Sequence, residues 1–164
     1  MTCLRQVGLV EKIAPTIKRE LTRFVNSVLD DAGLRRYDMV RNIAIKSVRS
    51  EGLDKDVLTK TIKKAFQSHL DKYTKFYGEH PELTPPRLIY GFVIIQHAVL
   101  LFTFDGARPK ARPRLIADFN LSQGDQWLDA SLGVAIPIYL ARERLLPIAA
   151  KMEPMEEDTD DPDK

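Results

Sequence analysis

Leu88–Phe104, LIYGFVIIQHAVLLFTF, is the stretch on which the fold turns. It is the longest charge-free run, 17 residues between Arg87 and Asp105. A membrane-spanning helix needs roughly 20 mostly apolar residues, and Gly91, Gln96, His97 and Thr103 make this run both short and too polar for that. Thr84, Pro85 and Pro86 precede it as a cap residue and first-turn prolines. The run therefore predicts a helix apolar nearly all round, buried among the others. A short apolar run is ambiguous by periodicity. In the alternative, Val99–Phe104 is a strand that pairs with Leu115–Asn120, a hairpin over 99–120.

Working outward, Ile17, Leu21, Phe24 and Val28 recur at spacings of three and four and predict a helix from Pro15 to Asp30. Gly33 then breaks the pattern. Met39, Val40, Ile43, Ala44 and Val48 predict a second helix over Tyr37–Ser50, ended by Gly52. Leu58, Ile62, Phe66, His69, Tyr73 and Phe76 predict a third over Asp54–Tyr77, with Gly78 and Pro81 after it. A last helix begins near Ser122, with Asp125 completing a capping box. Trp127, Leu128, Leu132, Ala135, Ile136 and Tyr139 continue its apolar pattern, and Pro137 and Pro147 should kink or end it. The expected fold is all-α: one compact domain of about five helices, residues 1–152, followed by a disordered acidic tail, 153–164.

Composition sets the wider bounds. At 164 residues, 44% apolar and 29% charged, the chain is long enough and ordinary enough to bury a core. Cys3 is the single cysteine, which excludes an intramolecular disulfide and a cysteine-based zinc site. The N-terminus lacks a signal-peptide pattern, so a reducing, cytoplasmic setting is expected. The net charge of +2 conceals a split. Residues 1–152 hold 24 Lys/Arg against 16 Asp/Glu, whereas residues 153–164 hold seven acids and one base. A basic body with an acidic tail points to an electrostatic partner, and to a tail able to compete for the same surface.

The sharpest local signal is Arg108, Lys110, Arg112 and Arg114, four cations in seven residues braced by Pro109 and Pro113. Such a loop suits phosphate oxygens. Lys60, Lys63 and Lys64 form a second cluster on the polar side of the third helix, with Lys75 on the same arc. Residues 37–77 also outline a helix-turn-helix, and Lys72–Tyr77 interleaves bases with aromatics. His69, His80 and His97 share no metal-ligand spacing. Gln96 and His97 are candidates to line a small buried pocket. Asp105, Asp118, Asp125 and Asp129 offer carboxylates without a standard catalytic arrangement, and no Gly-rich phosphate loop is present.

These residues predict a non-enzymatic module that binds DNA or RNA through phosphate contacts, with no cofactor, no metal and no membrane partner. Its bases are Arg108, Lys110, Arg112, Arg114, Lys60, Lys63 and Lys64. The alternative is a protein–protein adaptor or homo-oligomeric assembly subunit, with a groove built from apolar helices, Trp127 and the Pro-rich turns. A third reading is a small enzyme using His97 or the acidic segment 118–129.

Overall fold

A computed structural model describes residues 3–49, 55–108 and 111–155. Among these residues the elements run α1 (Cys3–Asp31), β1 (Ile43–Ser47), α2 (Lys55–Glu79), β2 (Leu88–Ile95), β3 (Ala98–Asp105), β4 (Arg114–Asn120) and α3 (Trp127–Ala149). The strands form one sheet in the order β1-β2-β3-β4. β1 is parallel to β2, and the other neighbours are antiparallel.

The fold is thus mixed α/β and not all-α. The charge-free run is no central helix; it folds back on itself as β2 and β3. The turn falls on Gln96 and His97, with Gln96 at φ 53° and Ile95 paired to Ala98. Ile, Val, Phe, Tyr and Thr dominate the run, residues that fit a pleated surface. Ile89 and Phe92 through Ile94 are all buried, because helices cover both faces of β2. A strand buried on both faces loses the apolar–polar alternation that marks a strand in sequence. The hairpin alternative is the one that forms, with Val99 opposite Phe119 and Leu101 opposite Ala117.

The helix predicted over Tyr37–Ser50 is also absent. A 3-10 turn at Leu34–Arg36 leads through extended chain into β1, whose Ile43 and Ile45 pair with Tyr90 and Phe92. Tertiary pairing here overrides a pattern that fits a helix equally well. Without that helix, residues 37–77 form no helix-turn-helix. They form β1 and then α2, a crossover that delivers β2 parallel to β1.

α2 packs on one face of the sheet. Its Phe66 ring meets Gly91 and Phe104, which share that face. α1 and α3 cover the other face, where Val99, Leu21, Phe24, Ala130 and Val134 line a common hollow. α1 ends beside Gly33, whose φ of 68° is the left-handed conformation that glycine accepts, and whose N–H donates to the Asp30 carbonyl (2.8 Å). α3 runs through Pro137 and Pro147, so neither splits it; Pro137 is buried in the packing. Ser122 does not cap it. Its N–H and O–H donate to Asn120 Oδ1 (3.1 and 2.7 Å) in the turn leaving β4.

The apolar stripe expected to pack α3 inward points outward. Leu128, Leu132, Ile136 and Tyr139 are exposed, whereas Ala130, Ile138, Ala141, Leu145 and Ile148 are buried. Of the expected acidic tail, residues 153–155 are described and exposed, and the Met155 N–H donates to the Arg36 carbonyl (2.7 Å). Residues 156–164 lie outside the described ones. Among the described residues no helix is long and apolar enough to cross a membrane.

Two substitutions probe this packing. A methyl group on Gly91 would stand 2.7 Å from the Phe104 ring and 2.9 Å from the Phe66 ring. Gly91→Ala should lower unfolding free energy by about 1–3 kcal/mol in urea denaturation. Asn42 is fully buried, and neither side-chain polar atom has a partner. Asn42→Leu keeps the side-chain size and removes an unsatisfied amide, so stability should rise by about 1–3 kcal/mol in the same measurement.

Candidate functional site

The two basic clusters read from the sequence do not meet. Arg108 and Arg112 lie in the β3–β4 loop and Arg114 opens β4, all three exposed; Lys110 lies outside the described residues. Asp105 receives the Ala107 N–H (3.0 Å) and the Arg108 guanidinium (Nε–Oδ2 3.1 Å). Those bonds, the Ala107 N–H first, hold its carboxyl below the usual range. Arg108 is thereby partly neutralised, while Arg112 and Arg114 stand in solvent.

α2 shows where its lysines fall. Phe66 lies over Gly91, and Tyr73, one end further on, donates its O–H to the Pro86 carbonyl (2.6 Å) beside Gly106. The C-terminal half of α2 therefore reaches the loop end of the sheet. Lys60 and Lys64, exposed, and Lys63, half-buried, lie on the opposite side of Phe66. From Lys64 to Tyr73 is about 13 Å at 1.5 Å per residue. That exceeds a Debye length of roughly 10 Å, so the lysines act separately from the loop.

The loop end gathers other cations instead. A groove of about 600 Å³ opens between the Thr84–Leu88 segment and the last turns of α3. Arg87, Arg144 and Lys151 line it, with no carboxylate among its lining residues. Leu88, Tyr90, Leu140 and Pro147 supply its walls. Leu140, Arg144 and Pro147 of α3 are spaced four and three apart, which sets them on one helix face, and Lys151 follows in the turn after the helix. Tyr90 is half-buried. Burial pushes its phenol up from the ordinary value, and the nearby Arg144 charge opposes that shift. The Arg87 carbonyl accepts the Gly106 N–H (2.8 Å), which joins the groove to the basic loop. Arg87, Arg144 and Lys151 carried no local signal in the sequence, because Arg87 and Lys151 each stand alone in it and Arg142 and Arg144 flank an acid, Glu143.

The remaining candidates separate. Gln96 is exposed at the β2–β3 turn and His97 half-buried beside it, so the two do not form an enclosed pocket. The His97 carbonyl accepts the Leu121 N–H (3.0 Å), a structural tie to the end of β4. Asp118 and Asp129 are exposed on β4 and α3, and Asp125 is exposed in a 3-10 turn. Among the described residues, no three His, Cys, Asp or Glu side chains form a metal-holding group. His80 stacks on Phe76 (4.5 Å) and bonds its carbonyl through Nδ1 (2.9 Å).

His69 packs between α2 and β1. Burial holds its pKa below the ordinary value, and the Lys46 and Lys72 charges add to this, against a bond to the Arg41 backbone. The folded state therefore favours neutral His69. Its contribution is complete above the unfolded-state pKa of about 6.5 and is lost as pH falls below it. Urea midpoints should fall between about pH 7.5 and about pH 5, and His69→Gln should flatten that slope. Compared with protein-family models, with curated proteins and with solved structures, the chain matches none.

Proposed function

We propose that this chain is a non-enzymatic module that binds nucleic acid through phosphate contacts at the loop end of its sheet. One observation carries the reading: Arg87, far in sequence from Arg144 and Lys151, lines one groove with them, and that groove is joined to the basic loop at Gly106. Clustered cations neutralise phosphates and release counterions, a sequence-independent source of affinity. Tyr90 and the prolines give the groove flat apolar walls beside those charges, the combination that suits a single strand. Lys60, Lys63 and Lys64 lie outside this footprint and contribute at most a second, separate contact.

The acidic tail enters the same reading. It begins two residues after Lys151, so it is tethered next to the groove. A short tether gives an effective concentration of about millimolar order, enough to compete with a phosphate strand at weak sites.

Fluorescence anisotropy with DNA and RNA oligomers at two salt concentrations tests the proposal. Affinity should fall steeply with salt. Arg112→Ala, Arg114→Ala and Arg144→Ala should each weaken binding across sequences and reduce the log–log salt slope by roughly one. Lys60→Ala with Lys64→Ala should leave most of the slope, and truncation after Met152 should tighten binding. Absence of low-salt binding by the truncated protein would overturn the proposal.

A further inference from the structure

We infer that the outer face of α3 is a self-association surface, on which a second copy of this chain packs its own α3 antiparallel about a two-fold axis. Leu128, Leu132, Ile136, Tyr139 and Leu146 are 37–55% exposed. At 100° per residue they fall in an arc of about 80°, opposite the buried Ala130, Ile138, Ala141 and Leu145. A helix apolar on both faces is normally covered on both. Scattered exposed apolar side chains need no explanation, but a contiguous stripe does. The patch extends onto α1, where Phe24 meets the Tyr139 ring edge-on (centroids 6.5 Å).

The pattern of the stripe identifies its occupant. Leu132 and Leu140 stand four residues either side of Ile136. A two-fold axis near Ile136 therefore sets Leu132 of one copy against Leu140 of the other and brings Leu128 within a turn of Leu146. The same operation keeps each flank of the helix with itself and reverses its direction. Asp129 and Arg144 share a flank, so each Asp129 comes within one residue along the axis of the other copy's Arg144, twice per dimer, while Glu143, level with Asp129, is held by Arg142 of its own helix. Parallel pairing about an axis along the helix would instead set opposite flanks together at equal height and leave Asp129 without Arg144. Glu143, inside the arc, is tied back by Arg142 (Nε–Oε1 3.1 Å), whose guanidinium also lies 4.9 Å over the Tyr139 ring. With about half of each side chain still to bury, the stripe and Phe24 offer on the order of 500 Å² of apolar surface. That suits the centre of a standard interface of about 800 Å² per partner.

Sedimentation or light scattering of the full chain at about 100 μM is the test. The expected mass is twice the 18.7 kDa of one chain. Ile136→Glu and Leu132→Glu should each give a monomer that retains its helical circular dichroism. Asp129→Arg should weaken the dimer, and adding Arg144→Asp should restore it, a rescue that loss of folding does not produce. A monomeric wild type overturns the inference and leaves the stripe to a foreign partner. A dimer that Ile136→Glu leaves intact overturns it too. Leu140 and Arg144 also line the groove assigned to phosphate, so mass is measured without nucleic acid and its outcome is read separately from the anisotropy titration.

Discussion

The Phe66 ring reaches the β2 backbone at Gly91, and that close approach sets how α2 lies on the sheet. Seated there, α2 closes one face of β2 with Phe66, Tyr73 and Leu70, while α1 and α3 close the other. β2 becomes the strand buried on both sides, and β1 lies parallel to it because the α2 crossover reverses the chain direction twice. The contact is rigid because ring atoms on both neighbours leave no space for a side chain. The position of the loop end then follows. Tyr73 bonds the Pro86 carbonyl, the Gly106 N–H bonds the Arg87 carbonyl, and two loops are locked edge to edge.

From that locking comes the electrostatic character of one end of the molecule. Arg87 is carried in by the chain entering β2, Arg112 by the β3–β4 loop and Arg114 by the start of β4, Arg144 by the later turns of α3 and Lys151 by the turn that follows it. Arg87, Arg144 and Lys151 line one groove, whereas a net charge of +2 describes only the sum. Asp105, tied to Arg108, removes part of the loop's own contribution. The apolar outer face of α3 lies alongside this basic end, so a charged and an apolar surface share one helix.

Two helices were legible because each buries a single face. In α1 and α2 the apolar positions recur at three and four with polar residues opposite; α2 forms close to its predicted range, whereas α1 begins at Cys3, so that Pro15, read as its start, lies inside it. Leu88–Phe104 was not legible as strands, since burial on both faces erases alternation and leaves an apolar run that suits a buried helix equally well. β1 was hidden for another reason: Met39, Val40, Ile43, Ala44 and Val48 fit a helical period, and only pairing with β2 decides against it. In α3 the helix was legible but its inward face was not. Both faces are apolar, and periodicity ranks Leu128, Leu132 and Ile136 above the smaller Ala130 and Ala141 that pack inside.

The candidate site divides along the same line. Arg108, Arg112 and Arg114 stand together in sequence around Pro109 and Pro113, and a local run of charge remains a local run after folding. By itself, the sequence determined the two one-sided helices, the exposed basic loop and the separation of a basic body from an acidic tail. The tertiary structure decided that the charge-free run is a hairpin, that Arg87 joins Arg144 and Lys151 in one groove, and that α3 turns its larger apolar residues outward. The physical reason is range. Periodicity records which face of one element avoids water, whereas two-sided burial and the meeting of lone cations depend on neighbours that sequence distance does not specify.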